Sequence, residues 1–215
     1  HELHLLFEEP AGGRALQALD EAGALAAMHP ALRWSVRKTD ALTALRAEDR
    51  QEHGWALIAS EASSSEAGEI AARLQLSQPE AAAVHAMPAL ASARTALRRA
   101  DVKPSGVVTV LDRLPVAAIE AFADLLEDTA LRDLLRRYVE QWRFERPLLS
   151  GHDLMAMGVP EGPRIKQALQ LIRAARLDGW ASDRDDERAL VMRFAKSIRD
   201  SRAMNQPIDF KLYEN

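Results

Sequence analysis

Apolar residues recur along the chain in short blocks at helical spacing, and each block ends at a proline, a glycine or a small polar cluster. Leu3, Leu6 and Phe7 share one face, residues 10–13 break it, and Ala15, Leu16 and Leu19 resume it until Gly23. His29-Pro30 reads as a turn, because a proline disfavours helical geometry in the residue before it. Thr39 or Asp40 is placed to cap a helix with Leu42 and Leu45 inward, and Trp55, Leu57 and Ile58 mark the next face. Ser63-x-x-Glu66 and Ser77-x-x-Glu80 have capping-box spacing. Pro88 is expected to interrupt and restart a helix, Lys103-Pro104-Ser105 to end one segment with Ser105 capping the next, and Leu114-Pro115 to do the same before Ile119. Leu131, Leu134, Leu135, Tyr138, Val139 and Trp142 form a longer face that Pro147 stops. No alternating run suggests a strand, and no repeat of 20–50 residues emerges. The pattern predicts an all-α chain, an irregular and elongated multi-helix bundle of about ten short helices.

The most informative stretch is 147–179. Ser150 or Asp153 starts a short helix and Gly158 ends it. Gly162 precedes Pro163, the order a helix start favours, since proline at the first helical position gives up no needed N–H. Ile165, Ala168, Leu169 and Ile172 form one apolar face, Lys166, Gln170 and Arg173 lie on another stripe, and Gly179 closes the helix. A helix start carries unpaired N–H groups and partial positive charge. Gly162 is expected to let another backbone approach, with Arg164 and Lys166 beside it, so a phosphate fits there. A hairpin that only packs is the alternative.

These residues, Leu149-Ser150-Gly151-x-Asp153-Leu154, Gly158-x-x-x-Gly162-Pro163 and Ala175-x-Leu177-Asp178-Gly179, resemble the C-terminal region of the bacterial class II tRNA nucleotidyltransferase and poly(A) polymerase family, the CCA-adding type. His1-Glu2-Leu3 through Leu16, Leu19, Gly23 and His29-Pro30 resembles the end of that family's neck domain, and Tyr138-x-x-x-Trp142-Arg143 the helix entering its tail. The resemblance implies a neck end at 1–30, a helical body at 31–147, a tail hairpin with a last helix at 148–199, and an extended tail at 200–215. It implies that the metal-holding carboxylates, and with them Mg and ATP or CTP, belong to a head domain outside this chain. The chain opens on His, not Met, and is expected to be cut from a longer reading frame.

Composition narrows the field. The length, 215 residues, suits one large or two small domains, and a 47% hydrophobic content rich in alanine supports a helical core. Cysteine is absent, so disulfides and thiolate metal sites are excluded. No apolar run approaches a membrane span and no signal peptide is legible, so the expected location is cytoplasmic. The net charge of −4 argues against a protein that coats nucleic acid, but residues 131–180 carry nine basic and six acidic side chains, an excess of +3.

Within that excess, the expected RNA-backbone contacts are Gly162, Arg164, Lys166, Arg173 and Arg176, with Arg143 and Arg146 secondary. Tyr138 and Trp142 read as core rather than as stacking partners. Asp183-Arg184-Asp185 resembles a metal pair, but it opens a helix and reads as a cap. His1 and His4 are three apart and lack a third ligand nearby; no metal site and no catalytic residue is expected. The expected partners are tRNA and the chain's own catalytic domain, with a homodimer as a further option. The competing readings are a helical scaffold without RNA contact and a helix-hairpin-helix DNA module, the latter disfavoured by glycines four rather than two apart.

Overall fold

A computed structural model describes residues 2–204, with side chains through residue 200. The described residues contain thirteen α-helices, two single-turn 3-10 helices and no strand. The chain is therefore all-α, and more finely divided than the ten helices expected. The helices are α1 (Glu2–Glu8), α2 (Gly12–Glu21), α3 (Ala24–Met28), α4 (Val36–Ala44), α5 (Arg50–Ile58), α6 (Ser64–Arg73), α7 (Gln78–Leu97), α8 (Pro104–Leu111), α9 (Val116–Leu125), α10 (Thr129–Glu140), α11 (Gly151–Ala156), α12 (Pro163–Leu177) and α13 (Arg184–Met204). The tail expected from residue 200 begins inside α13, and residues 205–215 lie outside the described part.

Two compact units form. One holds the residues through Val102 together with Val107–Glu140; the other holds Lys103–Gly106 and the residues from Gln141 onward. Residues 2–30 fall in the same unit as residues 31–102 and 107–140.

The first unit is built around an aromatic group. The Phe7 ring lies edge-on to Trp55 at 5.3 Å and tilted against Trp34 at 6.3 Å. Trp55 donates its indole N–H to Glu80 Oε1 at 3.0 Å, while Glu80 Oε2 accepts the Ser77 amide at 2.8 Å. The capping box read from the sequence therefore also satisfies a buried indole. Burial works to raise the Glu80 pKa, but the Ser77 hydrogen bonds outweigh it and hold the carboxyl below its ordinary value.

Two local expectations are corrected here. Pro88 does not interrupt α7, which runs unbroken from Gln78 to Leu97 with Pro88 itself buried. Buried neighbours on the same helix, Val84, Met87 and Leu90, hold it continuous across the missing N–H. Neither Thr39 nor Asp40 caps α4. Ser35 does, accepting the Lys38 amide. The Thr39 hydroxyl is taken by two tertiary partners, donating to Gly13 O and accepting from the Trp34 indole.

In the second unit a 3-10 turn (Trp142–Phe144) leads through 145–150 into α11, α12 and α13. The long face predicted up to Pro147 stops early, because α10 ends at Glu140. Leu149, Leu154, Val159, Ala168, Ile172, Val191, Phe194, Ala195 and Ile198 form one core cluster. Ser150 caps α11 with Asp153 in a reciprocal box. That hydrogen bond from Ser150 holds the Asp153 carboxyl below its ordinary value. Gly158, at φ 87°, ends α11: its N–H reaches Met155 O, and the Val159 N–H reaches back to Leu154 O. The same pair of bonds recurs after α12, from Gly179 to Arg176 O and from Trp180 to Ala175 O.

Candidate nucleic-acid interface

The start of α12 stands open. Gly162 and Pro163 are exposed, and Gly162 holds φ 104° and ψ −145°, a conformation costly for any residue with a Cβ. A Cβ built there would meet nothing within 4 Å, so backbone shape rather than close approach by another segment requires this glycine. Pro163 has no N–H, and Ile165 donates its own to Gly162 O at 3.0 Å. Two of the first three helical positions are thus unable to serve an anion, fewer donors than the spacing implied.

Arg164 and Lys166 flank this start differently. Lys166 is exposed, whereas Arg164 is half-buried and donates to Gln167 Oε1 at 2.9 Å. Two residues apart on a helix, they diverge by about 200° around the axis. Only the lysine faces water without a partner on its own helix.

The remaining cations expected at the interface meet the segment 143–149 instead. Arg173 donates from Nε to Glu145 O at 2.9 Å and from Nη2 to Arg143 O at 3.4 Å. Arg176 pairs with the Glu145 carboxylate and, at 3.3 Å, with Glu187. The hydrogen bond to Glu145 leads the causes that raise the Arg176 pKa further, so it stays cationic at any physiological pH. Arg146 donates from one nitrogen to Arg143 O at 2.7 Å and Glu145 O at 2.9 Å. The Arg143 guanidinium lies 4.4 Å above the Phe144 ring, its Nε buried without a hydrogen-bond partner. The structure therefore places Arg143, Arg146, Arg173 and Arg176 together around one loop. Lys166 stands about 15 Å further along α12 from Arg176.

The residue that organises this loop is Glu187. Its carboxylate is fully buried and accepts the amides of Leu148 (2.9 and 3.0 Å) and Leu149 (2.8 Å) as well as Arg176. The sequence reading passed over it. The signal was present: Glu187, Leu190, Val191 and Phe194 fall at i, i+3, i+4 and i+7, and a carboxylate on an apolar face demands a buried partner. Phe144, 58% exposed, was missed as well.

Asp183 is a cap, as read: its Oδ1 accepts the amides of Asp185 and Asp186, both at 2.9 Å. His4 Nδ1 meets Gln51 and Glu80, and His1 lies outside the described residues.

Two curated relatives match the chain. An A-adding tRNA nucleotidyltransferase of Geobacter sulfurreducens is 34% identical over 104 residues, covering 48% of this chain. A CC-adding tRNA nucleotidyltransferase of Thermus thermophilus is 31% identical over 116 residues, covering 52% of it. Over about half its length, this chain is similar to part of two tRNA nucleotidyltransferases. The chain spans only 12% and 25% of those two nucleotidyltransferases, so the likeness is regional. No protein-family model matches the chain, and no solved structure does. Among the described residues, no helix is long and apolar enough to cross a membrane.

Proposed function

We propose that this chain is a non-catalytic, RNA-binding helical region of a cytoplasmic tRNA nucleotidyltransferase-like protein. It holds the acceptor and T-arm of tRNA by backbone and shape contacts. A head domain outside the chain, carrying Mg and the nucleotide triphosphate, then extends the 3′ end. The observation that carries this reading is the regional match to two tRNA nucleotidyltransferases, one named as adding A and one as adding CC. The structure supports it with a solvent-open helix start beside an exposed lysine. Gly162 and Lys166 serve as direct backbone contacts and Arg164 as a reserve. Arg173 and Arg176 work through the loop they hold, and that loop presents Arg143 and Arg146.

The test is tRNA binding by this chain at low and moderate salt. Wild type should bind with a steep salt dependence. An Arg164→Glu, Lys166→Glu double variant should weaken binding and flatten the slope by about one to two. Affinity indifferent to both changes rejects the site.

One observation favours a second reading, a helical scaffold that packs or dimerises without RNA contact: the chain is net acidic and most of the expected cations already have internal partners. A dimer in light scattering with no RNA shift in a gel selects it.

A further inference from the structure

The segment 143–149 is an exposed loop held like a core element. Arg173 tethers the carbonyls of residues 143 and 145, Arg146 bonds the same two, Arg176 holds the Glu145 side chain, and buried Glu187 takes the amides of 148 and 149. What so much fixing presents is an aromatic ring. Phe144 is 58% exposed, with the Arg143 guanidinium over one face. An apolar ring left in water gains nothing for the fold, whereas a rigid one loses no rotamer freedom when a flat ligand lands on it.

The charges near the ring select the ligand. The Arg143 guanidinium lies against it, Arg146 is exposed two residues on in the same loop, and the acid between them, Glu145, has its carboxylate engaged by Arg176. Cationic charge near an exposed aromatic suits a nucleotide, whose base stacks while its phosphate meets the guanidinium charge.

We propose that Phe144, backed by Arg143 and with Arg146 in the same loop, is a stacking seat for an unpaired base of a bound RNA. The seat rests on the RNA-binding reading above and adds to it a preference: the chain distinguishes RNA with a flipped or single-stranded nucleotide from RNA that is fully paired. Glu187, Arg173 and Arg176 are its positioning residues.

The experiment compares two labelled RNA hairpins closed by the same structured loop, one with a fully paired stem and one whose stem carries unpaired nucleotides, titrated with the full chain. Wild type should bind the second more tightly. Phe144→Ala should weaken that complex about five- to hundredfold, with the paired hairpin and both salt slopes unchanged. Phe144→Trp should retain the preference and add indole emission, above that of the four native tryptophans, that the unpaired RNA alone quenches. Since the ring is largely exposed, the thermal melt of Phe144→Ala should match wild type, which separates lost stacking from lost fold. The outcomes are separable. If wild type binds neither hairpin, the RNA-binding reading fails and takes the seat with it. If the Arg164→Glu, Lys166→Glu variant weakens both hairpins while Phe144→Ala weakens neither, or weakens both equally, the seat alone is overturned. Loss of self-association in Phe144→Ala, with RNA affinity intact, assigns the ring to a protein contact and also overturns it.

Discussion

Replacing Glu187 by alanine is the sharpest test of how the second unit is held. The carboxylate accepts two backbone amides at 2.8–3.0 Å and one guanidinium nitrogen at 3.3 Å, with no exposure to water. Hydrogen bonds to a charged group contribute about 1.5–3 kcal/mol each, against several kcal/mol for burying the ion. Those opposing effects nearly cancel in the intact protein. They do not cancel when one partner is removed. Alanine strands the buried Leu149 amide and takes the acceptor from the part-buried Leu148 amide, at up to about 1–3 kcal/mol each, while Arg176 keeps Glu145 and loses less. The expected loss is about 3–5 kcal/mol, much of what a unit of this size commands. Glu187→Gln keeps the shape and one good acceptor but turns an NH₂ toward an amide N–H, and should lose about 2 kcal/mol. Urea unfolding measures the difference, and hydrogen exchange at Leu148 and Leu149 locates it. A loss for Glu187→Ala below about 1 kcal/mol, with both amides still slow to exchange, would refute the assigned role.

Two further outcomes follow from local geometry. Gln75 ends α6 at φ 52°, a left-handed position normally given to glycine, with the Leu76 amide bonded back to Ala71 O; Gln75→Gly should stabilise the chain by about 1 kcal/mol in thermal or urea melts, and a destabilised variant would refute the strain. His53 donates from Nδ1 to Asp49 O at 2.7 Å and turns Nε2 to the Glu120 carboxylate at 3.1 Å, so both ring nitrogens face acceptors. Burial works to lower its pKa, but Glu120 and the Asp49 carbonyl together raise it above the ordinary histidine value. A raised folded pKa means that the stabilisation is complete below about pH 6.5 and is lost as pH rises through the folded value. The stability gap between wild type and His53→Gln should therefore narrow toward alkaline pH, and a gap that widens would contradict the assignment.

The helical class was legible because its signals are local. Ser63-x-x-Glu66, Ser77-x-x-Glu80, Gly158 and Gly179 each act within one turn of the chain, and each does what the spacing says. The errors arose where tertiary partners decide. Thr39 has a capping side chain, but Trp34 and Gly13 occupy it. Ser105 looks like a cap for α8, yet its amide and hydroxyl both donate to Asp178, 73 residues away, so the acid of the Leu177-Asp178-Gly179 motif supplies the acceptor. Pro88 carries a local breaking signal that packing along α7 overrules.

The candidate interface was half legible for a related reason. Counting charges along 131–180 gives an excess of +3, but a count treats every arginine alike. Arg176 faces two carboxylates, so that group of three sums to −1 and contributes no attraction for a polyanion. Arg173 and Arg146 bond to carbonyls, which takes up part of their N–H groups but leaves their charge intact. They can raise the local potential within a Debye length of about 8–10 Å, yet they cannot also reach out to grip a phosphate with the nitrogens already used. Attraction and grip therefore belong to different residues in this unit. The loop arginines supply field and rigidity, and the exposed groups, Arg146 in the loop, Lys166 on α12 and the ring of Phe144, are left to make contact. Sequence shows how much charge a segment carries, whereas only the fold shows which of those charges still has a free hydrogen-bonding face.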